Sequence, residues 1–141
     1  LHIPHLRIAV SINAPDDTLR NQLMPVNRKY PLAKLKDALK SLPLCKDGVI
    51  FIEYVHISGV NDSLEMAEKL AHYVKGLKVR INIIPYNQNE YLCYKTPSQE
   101  TVTAFCNHLI KHKLFVRIRK SDGGEINAAC GQLRERVLEN R

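Results

Sequence analysis

Long apolar runs are missing from this 141-residue chain. None approaches the roughly 18 residues that a transmembrane helix needs, which excludes a helical membrane span. The start, Leu1-His2-Ile3-Pro4-His5, lacks both an initiator Met and the basic-then-apolar pattern of an export signal. The expectation is a segment excised from a longer cytoplasmic chain. Four cysteines, at 45, 93, 106 and 130, form no C-x-x-C pair, which excludes a zinc ribbon or a thioredoxin-type site. They are also too sparse for a disulfide framework, so reduced thiols are expected. There is no Walker loop and no G-x-G-x-x-G, so no glycine cradle for a nucleotide. Six histidines include no H-E-x-x-H. His108 and His112 are one helical turn apart, a spacing that fits a metal pair, although a solvated basic helix end is the plainer reading.

What is present suits one α/β domain spanning residues 1–141. Hydrophobic residues make up 45% and charged residues 25%, enough apolar surface for a core and enough charge to stay in water. The net charge is +7 and is unevenly placed. Residues 1–70 hold 9 basic and 8 acidic side chains, whereas residues 71–141 hold 12 and 6. The second half therefore suits an anionic partner, nucleic acid first, with a solvated basic face as the alternative.

Strand-like and helix-like segments alternate. Leu6 to Ile12 reads as a buried strand stopped by Asn13-Ala14-Pro15. Pro31 to Leu42 aligns Leu32, Leu35, Leu39 and Leu42 on one helical face. Val49 to Ile57 is β-branched and aromatic, hence a second strand. Asp62 with Glu65 resembles a capping box for a helix reaching about Gly76. Val79 to Ile84 is a third strand broken by Pro85, and a polar loop runs from Tyr86 to Pro97. Ser98 can cap a helix presenting Val102, Phe105 and Leu109. In a fourth strand, Leu114 to Arg119, Leu114, Val116 and Ile118 alternate with Phe115, Arg117 and Arg119. Asn127 can cap a last helix through Leu138. This order predicts βαβ units, a mainly parallel sheet of about four strands, and half of a (β/α)-barrel or a small open sheet.

Chemistry in such folds gathers beyond the carboxyl ends of the strands. Ser11-Ile12-Asn13 follows the first strand, Glu53 and Tyr54 with Asn61 and Asp62 mark the second, and Asn87 follows the third. Each is also an ordinary turn former. Cys130 falls in the first turn of the last helix, where free N–H groups and the helix dipole favour a thiolate. The same spacing fits a small buried thiol at a tight packing point, and spacing alone leaves that reading ahead.

Five blocks then occur in order: AVSINAP (9–15), RNQLMPVNRKY (20–30), Glu53-Tyr54 with Gly59-Val60-Asn61-Asp62, NIIPYN (82–87) and AACGQL (128–133). Together they resemble the C-terminal half of the radical SAM RNA methyltransferases of the RlmN/Cfr family, from about Leu6 to Leu133. The resemblance implies the C-terminal half of a partial (β/α) barrel. It implies methylation of an adenine ring carbon: carbon 2 in 23S ribosomal RNA and some transfer RNAs for one branch, carbon 8 for the other. It implies Cys130 as the cysteine that is first methylated by S-adenosylmethionine and then attacked by a deoxyadenosyl radical generated at a 4Fe–4S cluster. Ser11, Ile12, Asn13 and Asn87 match the family's S-adenosylmethionine contacts.

Arg117, Arg119 and Lys120 suit contacts to RNA phosphates, or a solvated strand face. The family's cluster motif C-x-x-x-C-x-x-C is absent from these residues, so no metal ligand is assigned and the segment alone is expected to be inactive. Asn13 stands where many members carry His, and Asp122 reverses a charge near the substrate loop. Two rivals follow: a non-catalytic RNA-binding relative, and a metabolic barrel enzyme with a small anionic substrate. Open strand edges predict dimerisation or strand swapping of the isolated segment.

Overall fold

A computed structural model describes residues 7–88 and 93–120. The expected last helix, with Asn127, Asp122 and Cys130, lies outside the described residues. Four parallel strands, β1 (Ile8–Ser11), β2 (Ile50–His56), β3 (Val79–Pro85) and β4 (Phe115–Ile118), pair in chain order. Ile52 of β2 sits beside Val10 of β1 and Ile81 of β3, and Ile81 beside Val116 of β4. Between the strands run α1 (Asp17–Leu23), α2 (Leu32–Lys40), α3 (Leu64–Tyr73) and α4 (Gln99–Lys111), with a 3₁₀ turn at Pro25–Arg28.

Alternation along the strands sorts their side chains onto two unlike faces. Ile50, Ile52, Tyr54, Ile81 and Ile83 are buried against Leu32 and Leu39 of α2, Ala67, Leu70 and Ala71 of α3, and Val102, Phe105 and Leu109 of α4. Burying a side chain of this size stabilises a fold by about 1.5–3 kcal/mol. A smaller apolar cluster of Ala14, Leu23, Ile57 and Tyr86 closes the carboxyl end of the sheet. Among the described residues no helix packs on the opposite face of the sheet, although parallel sheets are ordinarily covered on both sides.

Local signals explain most element ends. Asp16, Ser63 and Ser98 cap α1, α3 and α4 by accepting hydrogen bonds from the backbone N–H groups of Leu19, Met66 and Thr101. The α3 cap is thus Ser63, not the Asp62 expected from the Asp62–Glu65 spacing. Pro85 does not interrupt β3 but is its last residue, where its missing N–H costs least. The seven-residue α1 went unread because a helix so short, with Leu19 and Leu23 as its only large apolar residues, shows no periodicity. Ile118 of β4 remains exposed, since β4 is an edge strand. Among the described residues no helix is long and apolar enough to cross a membrane.

His56 ends β2 within the core. It is fully buried, 4.5 Å from the Phe105 ring, and neither ring nitrogen has a hydrogen-bond partner among the described residues. Burial pushes its pKa down to about 4, against a smaller opposing pull from Asp62. The unfolded chain takes up this proton near pH 6.5, whereas the folded chain refuses it until about pH 4. The stability held at neutral pH is therefore complete above 6.5 and falls as pH drops from 6.5 to 4, by on the order of 3 kcal/mol. Replacing His56→Met is expected to flatten that slope, measured by urea unfolding at pH 7.5, 6, 5 and 4.

Candidate functional site on the open sheet face and its carboxyl edge

At the carboxyl end of β1 the chain leaves the sheet through a turn fixed by buried polar groups. Asn13 adopts φ 58°, a left-handed conformation that Asn tolerates better than most residues. Its Oδ1 accepts from Val55 N at 2.9 Å, and its backbone oxygen accepts from Asn61 Nδ2 at 2.7 Å. Asn61 in turn donates to the Val55 carbonyl at 2.6 Å and accepts from Ile57 N at 2.7 Å. The Tyr54 hydroxyl donates to the Asn61 carbonyl at 2.7 Å, and burial raises its pKa. This web ties the end of β1 to the end of β2.

A second web holds the same turn from the other side. The Arg20 guanidinium, only 4% exposed, donates from Nη2 to the Ser11 carbonyl at 2.9 Å and from Nε to the Ile12 carbonyl at 3.0 Å. Its Nη1 donates to Asn27 Oδ1 at 2.5 Å. Asn27 donates to Asn21 Oδ1 at 2.7 Å and to Asp17 Oδ1 at 3.0 Å, and Asp17 accepts from Leu32 N. Those hydrogen bonds, from Leu32 first and Asn27 second, lower the Asp17 pKa. Of the residues read as cofactor contacts, Ile12 and Asn13 are buried and the Asn13 side chain is committed to the fold. Ser11 and Asn87 are exposed at the same carboxyl edge.

The bare face is polar, and strand register arranges it in two rows. One row runs Ser11, Glu53, Asn82, Arg117 across all four strands; the other runs Ala9, Phe51, Arg80, Phe115. All of these except Ser11 line a trough of about 550 Å³, together with Arg7, Ile8 and Arg119. Glu53 sits at its centre, where its Oε1 accepts from Asn82 Nδ2 at 2.8 Å and lies 3.6 Å from Arg119 Nη1. Its other carboxylate oxygen is buried with no partner among the described residues. Arg80 lies over the Phe115 ring at 4.9 Å. Arg7, Arg80, Arg117 and Arg119 thus line the same trough as one carboxylate, a setting for an anionic ligand that also carries N–H or O–H donors. Arg117 and Arg119 line this trough, whereas Lys120 is exposed beside it. Cys130 lies outside the described residues.

Reading Glu53 as one of several strand-end polar residues missed its partnership with Asn82. The signal was available: polar residues occupy the same phase of four otherwise apolar strands. Arg20 was quoted only within a block and given no role. Nothing in local sequence marks an arginine as buried.

No protein-family model matches the chain. A dual-specificity RNA methyltransferase RlmN from an Anaeromyxobacter species is 47% identical over 128 residues, covering 91% of this chain and 34% of the relative. Another protein of that name, from Syntrophus aciditrophicus, is 44% identical over 136 residues, covering 96% of this chain and 39% of the relative. A radical SAM methyltransferase from Sphaerobacter thermophilus superposes with a TM-score of 0.80 at 36% identity, over 92% of this chain and 38% of that one. The chain belongs to the RlmN/Cfr family. It spans a little over a third of the length of these members. A domain of a pyruvate-formate lyase-activating enzyme from Bacteroides vulgatus shares the fold, with a TM-score of 0.62 at 20% identity over 79% of this chain and 65% of that one.

RlmN/Cfr membership raises the question of which cofactor groups these residues fit. A 4Fe–4S cluster does not fit them. Cys45 and Cys93 are exposed in loops, Cys106 is buried on α4 with its thiol pKa pushed up to about 11 by burial, and the sequence has no cluster motif. S-adenosylmethionine fits better, because its hydroxyl and amino donors suit the orphaned oxygen of Glu53. Arg20 is what holds the edge beside it. Removing it in Arg20→Ala takes a donor from the Ser11 and Ile12 carbonyls and from Asn27 Oδ1, an expected loss of about 2 kcal/mol or more in urea unfolding. Arg20→Lys is expected to recover only part, since an ammonium does not span three acceptors in one plane.

Proposed function

We propose that the chain is the C-terminal part of the radical SAM core of an RNA methyltransferase, acting on an adenine ring carbon, most simply carbon 2, in 23S ribosomal RNA and transfer RNA. The observation that carries this reading is the polar row Ser11–Glu53–Asn82–Arg117 on a sheet face that no helix covers among the described residues. S-adenosylmethionine supplies the methyl group. In this reading Ser11 and Asn87 touch it at the carboxyl edge, and Ile12 and Asn13 position that edge through their backbone. Cys130 is the thiol that carries the methyl group, and the 4Fe–4S cluster depends on ligands that these 141 residues do not contain. Arg117, Arg119 and Lys120 meet the phosphates of the RNA.

The test uses the complete gene product that carries this segment, with its cluster assembled, given S-adenosylmethionine and a 23S ribosomal RNA fragment. Nucleoside mass spectrometry is expected to find 2-methyladenosine. Cys130→Ala is expected to abolish it while RNA affinity stays within about twofold. Methyl transfer surviving in Cys130→Ala overturns the role of that thiol, and 8-methyladenosine moves the chain to the carbon-8 branch. Turnover of S-adenosylmethionine with no mark on any RNA adenine overturns the substrate. If the phosphates are met as proposed, Arg117→Ala with Arg119→Ala makes the slope of log affinity against log salt shallower by about 1.5. Self-association of the isolated chain through the outer edges of β1 and β4, open among the described residues, belongs to the same proposal. Sedimentation velocity is expected to show a dimer whose share rises with concentration.

A further inference from the structure

On the outer helical layer, on the far side of the sheet from the trough, three imidazoles converge on one carboxylate. His108 on α4 and His112, which caps its carboxyl end, stand one turn apart, so their rings lie on the same side of the helix. Their Nε2 atoms meet the same oxygen of Glu68, from α3, at 2.5 Å and 2.8 Å. The other oxygen of Glu68 meets His72 Nε2 at 3.1 Å, one turn along α3. Glu68, His108 and His112 each place a ligand atom within 4.8 Å of the others. We propose that Glu68, His108 and His112 form a binding site for one divalent transition-metal ion of the zinc class, joining α3 to α4.

The donor set suits such an ion. Two imidazole nitrogens and a carboxylate oxygen leave one tetrahedral position for water, and borderline ions prefer this mixture over the all-oxygen sets that suit magnesium or calcium. Bonds of about 2.0–2.2 Å would set the ligand atoms about 3.4 Å apart. The present spacings to the carboxylate are shorter by less than 1 Å. Small side-chain rotations can open them, because His108, His112 and Glu68 are 26%, 38% and 41% exposed. His72 on the remaining oxygen fixes the carboxylate's orientation, the part that outer partners of metal ligands ordinarily play.

Zinc chloride titration of the full 141-residue chain by calorimetry tests this, with Cys45, Cys93 and Cys130 replaced by Ser to remove exposed or unplaced thiols. One equivalent is expected to bind at micromolar concentration or tighter. His108→Ala with His112→Ala is expected to weaken this about 100-fold or more, and Glu68→Gln about tenfold. His2→Ala with His5→Ala is expected to change nothing. In the chain that keeps all its histidines, the side-chain nitrogen resonances of His108 and His112 are expected to shift together with the first equivalent, a readout that does not depend on any histidine variant folding. A dissociation constant above about 1 mM, unchanged affinity in the His108/His112 double variant, or shifts confined to other histidines overturns the proposal.

Discussion

The buried guanidinium of Arg20 is the constraint on which the carboxyl edge of this sheet depends. A cation taken out of water is costly unless every donor finds an acceptor, and here the acceptors are two backbone carbonyls at the end of β1 and the Asn27 side chain. The Ile12 carbonyl also accepts from Ala14 N at 2.7 Å, so the guanidinium and the turn share one anchor. Asn13 then takes its left-handed conformation and hands its side chain to β2. The position of Ser11, the last residue of β1, follows from that sequence of commitments. An RlmN/Cfr site assembled along this edge would rest on a polar scaffold that does not itself touch ligand.

The two faces of the sheet divide the labour. One face is aliphatic and aromatic and packs against three helices, so its residues are exchangeable for others of similar volume at modest cost. The other is built from charged and amide groups at matching register. Its members have few partners, and Glu53 keeps one oxygen buried without any. Its other oxygen is held by Asn82, with Arg119 beside it.

Much of the architecture was legible because it rests on local patterns. Alternation in VIFIEYVHI and VRINII marks strands whichever sheet they join, and leucines at 32, 35, 39 and 42 mark a helical face. The parallel order followed from the alternation of strand and helix. Partnerships between residues distant in sequence were less visible. Glu53 and Asn82 are 29 residues apart, and Glu68 and His108 are 40 apart. Only the register of the sheet and the packing of α3 on α4 bring them together. His108 and His112 were recognisable as a pair, but the carboxylate between them was not. Ser63 displaced Asp62 as a cap although only Asp62 has a Glu three positions on, because both are N-cap residue types and backbone geometry decides between them.

The chain-order pairing of β1 to β4 also bears on how this segment is made. Each strand pairs only with the strand just before and just after it in sequence. No strand waits for a later one to be inserted between two already paired. During synthesis each βα unit can therefore dock on a finished edge as it emerges, and the sheet lengthens in one direction. Loops to be closed stay short, which favours rapid assembly for an all-parallel sheet, a class that is otherwise slow to fold. The growing edge is vulnerable only until the next unit arrives, so the interval between successive strands, rather than the whole length of the chain, sets the exposure to misassembly.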